Sequence, residues 1–226
     1  MYLTKFFLDP QTKQGSRAIR NPQFLHANIA KFTSCTIPIG DADKINGRTL
    51  WRLDGTYSAV PIVWIVSPTE PTLDDLVKEM GKKVDGIVYK TRSYQPFLDG
   101  LKAGQIYSFR LAANPVHSGR SVYEPNQTKR YGHVTASQQQ LWLQQYCQRH
   151  GFPLRLRDGE PKVAIIGRGR RSFPRQGKNV AITVAEYIGE LEVCDPASLR
   201  NALTNGIGHA KAYGCGLMTL APPQSS

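Results

Sequence analysis

Two short strand-like runs, residues 49–53 and 60–66, stand on either side of an Asp54-Gly55 turn signal and between two helical patterns. This order constrains the chain more than any other feature. Before the runs, residues 2–8 form a β-rich stretch, and a polar segment leads to Asn21-Pro22, an N-cap residue followed by proline at the first helical position. Leu25, Ile29 and Phe32 then recur at helical spacing, with His26 about 100° round from Leu25, at the border of the apolar stripe. After the runs, residues 72–80 read as a helix with Asp74 and Asp75 in its first turn. The order is βαββα. A strand at residues 105–113 is expected to complete βαββαβ, the ferredoxin-like arrangement that also underlies RNA-recognition modules.

A second unit is expected further along. Residues 117–130 are polar and turn-rich, and Thr135 and Gln138 form a capping box for a helix reaching about residue 150. Residues 154–156, 163–166 and 179–193 contain strand patterns, 196–204 a helix and 217–220 a closing strand. The fold class read from this order is α+β, with two tandem ferredoxin-like βαββαβ domains, the second less regular. The boundaries are a first domain at 1–115, a linker at 116–133 and a second domain at 134–226. No short-period repeat is present, which argues against a solenoid.

Charge points to the partner. The 29 Lys and Arg outnumber the 17 Asp and Glu, giving +12. The first hundred residues hold 13 basic and 10 acidic side chains and the rest hold 16 and 7, so the excess is concentrated in the second part. A nucleic acid suits such a field, because neutralised phosphates release counterions; an anionic membrane would also respond to charge. The longest apolar stretch, residues 60–66, is too short to span a bilayer, and the amino terminus has no apolar core followed by a small-residue cleavage site. A cytoplasmic protein without a membrane partner is expected. Cys35, Cys147, Cys194 and Cys215 are widely separated, with no CxxC pair, and read as reduced, mostly buried thiols.

Three places can carry chemistry. Arg168, Arg170, Arg171, Arg175 and Lys178 lie between two strand-like runs with no acid among them, as a basic hairpin or loop whose guanidinium forks match phosphates and guanine edges. Residues 206–217 place four glycines and Lys211 between a helix and the last strand. They lack the ending of a P-loop, and tight turns and RNA contact fit them equally. His26 is the catalytic candidate: in RNA the 2′-hydroxyl is a built-in nucleophile, so a base to deprotonate it and an acid for the leaving 5′-oxygen suffice without metal. Lys31 and Ser34 could donate to the phosphorane oxygens. The remaining histidines have no metal-ligand spacing and no carboxylate cluster suits two-metal cleavage, so neither a metal nor a cofactor is expected.

Met1-Tyr2-Leu3-Thr4-Lys5, Asn21-Pro22 with Leu25-His26, Arg110 through Pro115, Leu141-Trp142-Leu143, Gly189 with Leu191, Val193, Asp195 and Pro196, and the glycine-rich end from Gly206 to Pro222 together resemble the CasE (Cse3) family of CRISPR RNA endonucleases. The resemblance spans nearly the whole chain. It implies two ferredoxin-like domains, metal-independent cleavage of the repeat hairpin in precursor CRISPR RNA to a 2′,3′-cyclic phosphate, and retention of the mature RNA within the type I-E Cascade complex with its other subunits. His26 matches the family's catalytic histidine, and Lys31 and Ser34 match positions that support the cleavage site in some relatives. Gln23 stands where some relatives carry a tyrosine, and glutamine does not titrate. The family's basic hairpin maps loosely onto residues 168–178, and Lys129-Arg130 resembles a second basic contact point.

Overall fold

The structure, a computed structural model, describes residues 1–33, 47–120, 128–175 and 177–223, the side chains of Arg175 and Lys178 excepted. The first half runs β1 (Tyr2–Phe7), α1 (Lys13–Arg20), α2 (Pro22–Thr33), β2 (Leu50–Asp54), β3 (Ile62–Ser67), α3 (Asp74–Met80), β4 (Tyr89–Ser93) and α4 (Gln95–Asp99). Its sheet has the order β2-β3-β1-β4, and every neighbouring pair is antiparallel. Phe6, Val63 and Ile65 from the sheet, Leu25 and Ile29 from α2, and Leu76 and Met80 from α3 close one core. Each such side chain, fully buried, contributes about 1.5–3 kcal/mol.

Two differences from the sequence pattern matter. The strand expected to close this sheet, observed as β5 (Ile106–Ala113), pairs instead with strands of the second half. Its place is taken by β4, whose residues YKTRS lack the apolar alternation that marks a half-buried strand. The polar segment before Asn21 is also helical. Thr12 caps α1 by accepting from the Gly15 N–H at 2.9 Å, but Gly15 and Ala18 are its buried residues, too small to give a visible apolar stripe.

The second half runs β5, β6 (Val116–Arg120), β7 (Thr128–Gly132), α5 (Ala136–Arg149), β8 (Leu156–Arg157), β9 (Glu160–Pro161), β10 (Val163–Arg175), β11 (Lys178–Glu192), α6 (Pro196–Asn205), a 3-10 turn at Lys211–Tyr213 and β12 (Met218–Ala221). The larger sheet has the order β10-β11-β5-β12, again antiparallel throughout. The capping box forms as expected: Thr135 Oγ1 accepts from Gln138 N at 3.2 Å and Gln138 Oε1 accepts from Thr135 N at 3.3 Å. One sheet face packs Leu111, Tyr187 and Leu191 against Leu143 of α5 and Leu199 and Leu203 of α6, in continuity with Leu50 and Val66 of the first sheet. The opposite face packs Ala112, Phe173, Ile182 and Val184 under Tyr213 and Cys215. Burial pushes the Cys147 and Cys215 thiols up to about 12, which keeps them protonated, while Cys194 is exposed and Cys35 lies outside the described residues.

Arg52 joins the two sheets. Its guanidinium forks onto Asp54, with Nε to Oδ1 at 2.8 Å and Nη2 to Oδ2 at 2.9 Å. Nη1 also donates to the carbonyls of Arg110 at 2.6 Å and Leu217 at 3.0 Å, and Nη2 to Thr219 Oγ1 at 2.9 Å. Arg52 is 2% exposed, so its charge is held by this full set of acceptors rather than by water. From Asp54 the charges continue outward: Arg110 Nε lies 3.4 Å from Asp54, Arg110 Nη2 lies 3.6 Å from Glu186, and Glu186 accepts from Arg171 at 3.2 Å.

Candidate nucleic-acid interface

The site is assembled around α2. Asn21 caps it, its Oδ1 accepting from Phe24 N at 3.1 Å, and the Arg17 guanidinium lies 4.3 Å from the Phe24 ring centre, tying α1 to α2. Leu25 and Ile29 anchor the helix in the core, which leaves His26 half-buried at the edge of that contact. Pro22 lines a cleft of about 520 Å³ with Arg20, Tyr57, Arg168, Arg170, Arg171 and Glu186. His26 lies one turn further along the same helix face as Pro22. A larger hollow of about 860 Å³ lies beside the β8–β9 hairpin, where Glu190 is paired with Lys162 and Arg155. None of its lining residues belongs to α2, so the smaller basic cleft is the one beside the candidate chemistry.

The helix α2 packs against both the Lys211–Tyr213 turn and β10. Three segments far apart in sequence, carrying His26, Lys211 and the arginines, thus meet. Lys31 is exposed with its ammonium 5.0 Å from the Phe32 ring centre. Five residues turn the helix by about 500°, so His26 and Lys31 share the helix but not one face. Ser34 lies outside the described residues.

The basic segment is an antiparallel hairpin. Alternation along β10 divides its arginines: Arg168 and Arg170 are exposed opposite the small residues Ala185 and Thr183, whereas Arg171 turns to the other face and pairs with Glu186. Arg175 and Lys178 face each other in register at the end of the hairpin; their side chains lie outside the description. Arg168 Nη1 reaches the Val134 carbonyl at 3.4 Å.

In the glycine-rich segment, Lys211 is half-buried and donates to the Gly208 carbonyl. Burial and then the nearby Arg48 hold its ammonium below the usual lysine range. His209 is held below the usual imidazole range by burial, then by Arg130 and Lys211. Arg48, Arg130, His209 and Lys211 therefore share one field, and an anion entering it would relieve their mutual repulsion. Lys129 and Arg130 are exposed on β7. Gly214 has φ 81°, and a Cβ there would lie 2.6 Å from the Trp51 ring, so this glycine has a packing reason whatever else the loop does.

Arg20, Arg48 and Tyr57 carry no motif in the sequence, and Arg110 and His209 lie inside segments that carry the family resemblance without being singled out as site residues. Tyr57 is fully exposed at the cleft. Among the described residues no three or more His, Cys, Asp or Glu side chains gather as metal ligands, and no helix is long and apolar enough to cross a membrane.

A family model described as CRISPR associated protein matches residues 1–222. The chain is 30% identical over 231 residues to the CRISPR-associated endoribonuclease Cse3 of Thermus thermophilus, covering 98% of this chain and 100% of that protein. It is 30% identical over 128 residues to the CRISPR system Cascade subunit CasE of Escherichia coli, covering 54% of this chain and 61% of that protein. The solved structure of CRISPR endoribonuclease Cse3 bound to 19 nt RNA superposes with a TM-score of 0.79 at 28% identity, covering 98% of this chain and 100% of that one.

Proposed function

The chain belongs to the CRISPR-associated protein family of Cse3 and CasE, and from that premise we propose that it binds the repeat hairpin of precursor CRISPR RNA and cuts it once. The cut is a metal-independent attack by the 2′-hydroxyl on the adjacent phosphorus that expels the 5′-oxygen and leaves a 2′,3′-cyclic phosphate. His26 accepts the hydroxyl proton or protonates the leaving oxygen. Lys31 and Ser34 are the further candidates at the cleavage site. Arg168, Arg170, Arg171, Arg175 and Lys178 grip the stem, with Lys129, Arg130 and Lys211 as further phosphate contacts. The mature RNA stays bound within Cascade beside its other subunits.

The observation that carries this reading is the packing of α2 against both the Lys211 turn and the arginine-bearing β10. It brings the helix that carries His26 against two basic segments, which supports cleavage of a clamped phosphodiester. Gln23 supplies no second titrating group, so the other proton transfer falls to His26 itself, to Lys31, to a tyrosine from elsewhere or to water.

We further read the chain as two ferredoxin-like units. Supporting this, β1, α1–α2, β2, β3, α3 and β4 give βαββαβ with β1 and β3 central, and β5, α5, β10, β11, α6 and β12 repeat that order with β5 and β11 central. The boundary then falls before β5.

The test is incubation of the protein with its repeat hairpin in EDTA, beside a substrate carrying a 2′-deoxy sugar at the scissile position. Cutting of the ribose substrate alone is expected. His26→Ala should abolish cutting and preserve binding, and normal cutting by that variant refutes the catalytic assignment. Tight binding without cutting by the unaltered protein would make the chain a binding-only subunit.

A further inference from the structure

Beyond the phosphate contacts proposed for Lys129 and Arg130, the β6–β7 hairpin carries aromatic rings that the cleavage step does not use, and its two faces are sharply different. Residues alternate between faces along each strand. On one face Gly132 lies so close to β11 that a Cβ there would stand 2.3 Å from Thr183 Oγ1. That face is the back of the hairpin, laid on the sheet at the partner position of Arg170.

The opposite face carries three rings in a row. His117 and Tyr131 are direct cross-strand partners with ring centres 5.9 Å apart and planes inclined by 30°. His133, two residues beyond Tyr131, follows with its ring centre 4.8 Å from that of His117. Tyr131 leans over Gly119, where a Cβ would stand 3.2 Å from its ring, so the missing side chain gives the ring a bed. Tyr131 is nevertheless 39% exposed, and His117 is exposed beside it. The Nδ1 of His133 is buried without a hydrogen-bond partner among the described residues. Exposed Lys129, in register with Gly119, shares the ring face, whereas Arg120 and Arg130 alternate to the other. At the base of the hairpin, His133 N donates to Pro115 O at 2.9 Å, and Arg168 reaches the next carbonyl, that of Val134.

A row of accessible rings with a lysine beside it is poorly matched to a duplex, whose bases are already stacked on one another. It matches unpaired nucleotides, which offer both π faces and phosphates. Resting on the RNA reading above, we propose that the outward face of the β6–β7 hairpin is a stacking platform for single-stranded RNA flanking the bound hairpin. Tyr131 and His117 hold bases, and the platform continues the path of Arg168 and Arg170.

The test uses the full chain and two uncleavable RNAs with a 2′-deoxy sugar at the scissile position: the hairpin alone, and the hairpin with single-stranded flanks carrying 2-aminopurine. The flanked RNA is expected to bind roughly 5- to 100-fold more tightly, with quenching of the probe. Tyr131→Ala and His117→Ala should each remove most of that gain and the quenching while leaving the affinity for the hairpin alone unchanged, and Tyr131→Phe should keep both. No gain from the flank, a gain that survives both alanine substitutions, or equal loss for both RNAs would overturn the platform. Equal loss or normal binding of both RNAs with impaired association of a partner protein would assign the face to other work. Failure of the unaltered protein to bind the hairpin alone is the separate result that counts against the RNA reading itself.

Discussion

Replacing Arg52 by alanine should damage stability more than any single loss from the basic surface. The side chain is 2% exposed and makes five hydrogen bonds, two to Asp54, two to carbonyls and one to Thr219. Its removal leaves the Asp54 carboxylate buried with, among the described residues, the more distant Arg110 Nε, at 3.4 Å, to compensate it. Breaking a buried pair in this way costs about 3–5 kcal/mol. For a domain of this size that converts to a fall in Tm of roughly 6–20 °C. Urea unfolding followed by circular dichroism supplies the free energy and a thermal scan supplies the Tm. Arg52→Met combined with Asp54→Leu removes both charges and should recover at least half of the loss, since no carboxylate is left stranded. A loss below about 1 kcal/mol for Arg52→Ala, or a double variant less stable than the single one, would show that Arg52 does not tie the sheets together.

Arg168→Ala with Arg170→Ala should weaken hairpin binding and reduce the slope of log K against log salt by about 2, one per phosphate contact, while Arg171→Ala, already paired to Glu186, should change the slope less. Titrating binding from about 50 to 200 mM salt, the range over which such contacts are lost, separates the two cases. His133 and His209 both sit below the ordinary imidazole value. The unfolded chain therefore takes up protons first, and the stability carried by their neutral forms is present above about pH 6.5 and is lost as pH falls below it. Thermal scans at neutral and mildly acid pH should show that decline, reduced in His133→Asn and His209→Asn. Gly214→Ala, with φ 81° and Trp51 in the way, should cost more than about 1 kcal/mol in urea unfolding.

Long, periodic elements were readable from the residues, and assembly was not. The stripe of Leu25, Ile29 and Phe32, the Asn21 cap and the Thr135–Gln138 box each act within a few positions, so sequence exposes them directly. Strand β4 was hidden because its polar residues depend on neighbours for their place, and β5 was legible as a strand while its sheet was not. The same distinction applies to the site. The arginines of β10 announce themselves as a charge run, but their division between faces needs the register with β11. Arg52, Arg48 and His209 acquire meaning only from partners up to 167 residues away, of the kind that links Arg52 to Thr219.

Strand β10 is thirteen residues long and terminates its sheet, so one row of its backbone donors and acceptors faces outward. A strand border of that length invites a second copy to add on by main-chain pairing, the first step toward insoluble assemblies. Arg168 and Arg170 oppose such docking, because two approaching arms would bring like charges together. Neutralising them would therefore cost colloidal stability as well as affinity, and a bound polyanion would both occupy the border and screen the repulsion that guards it.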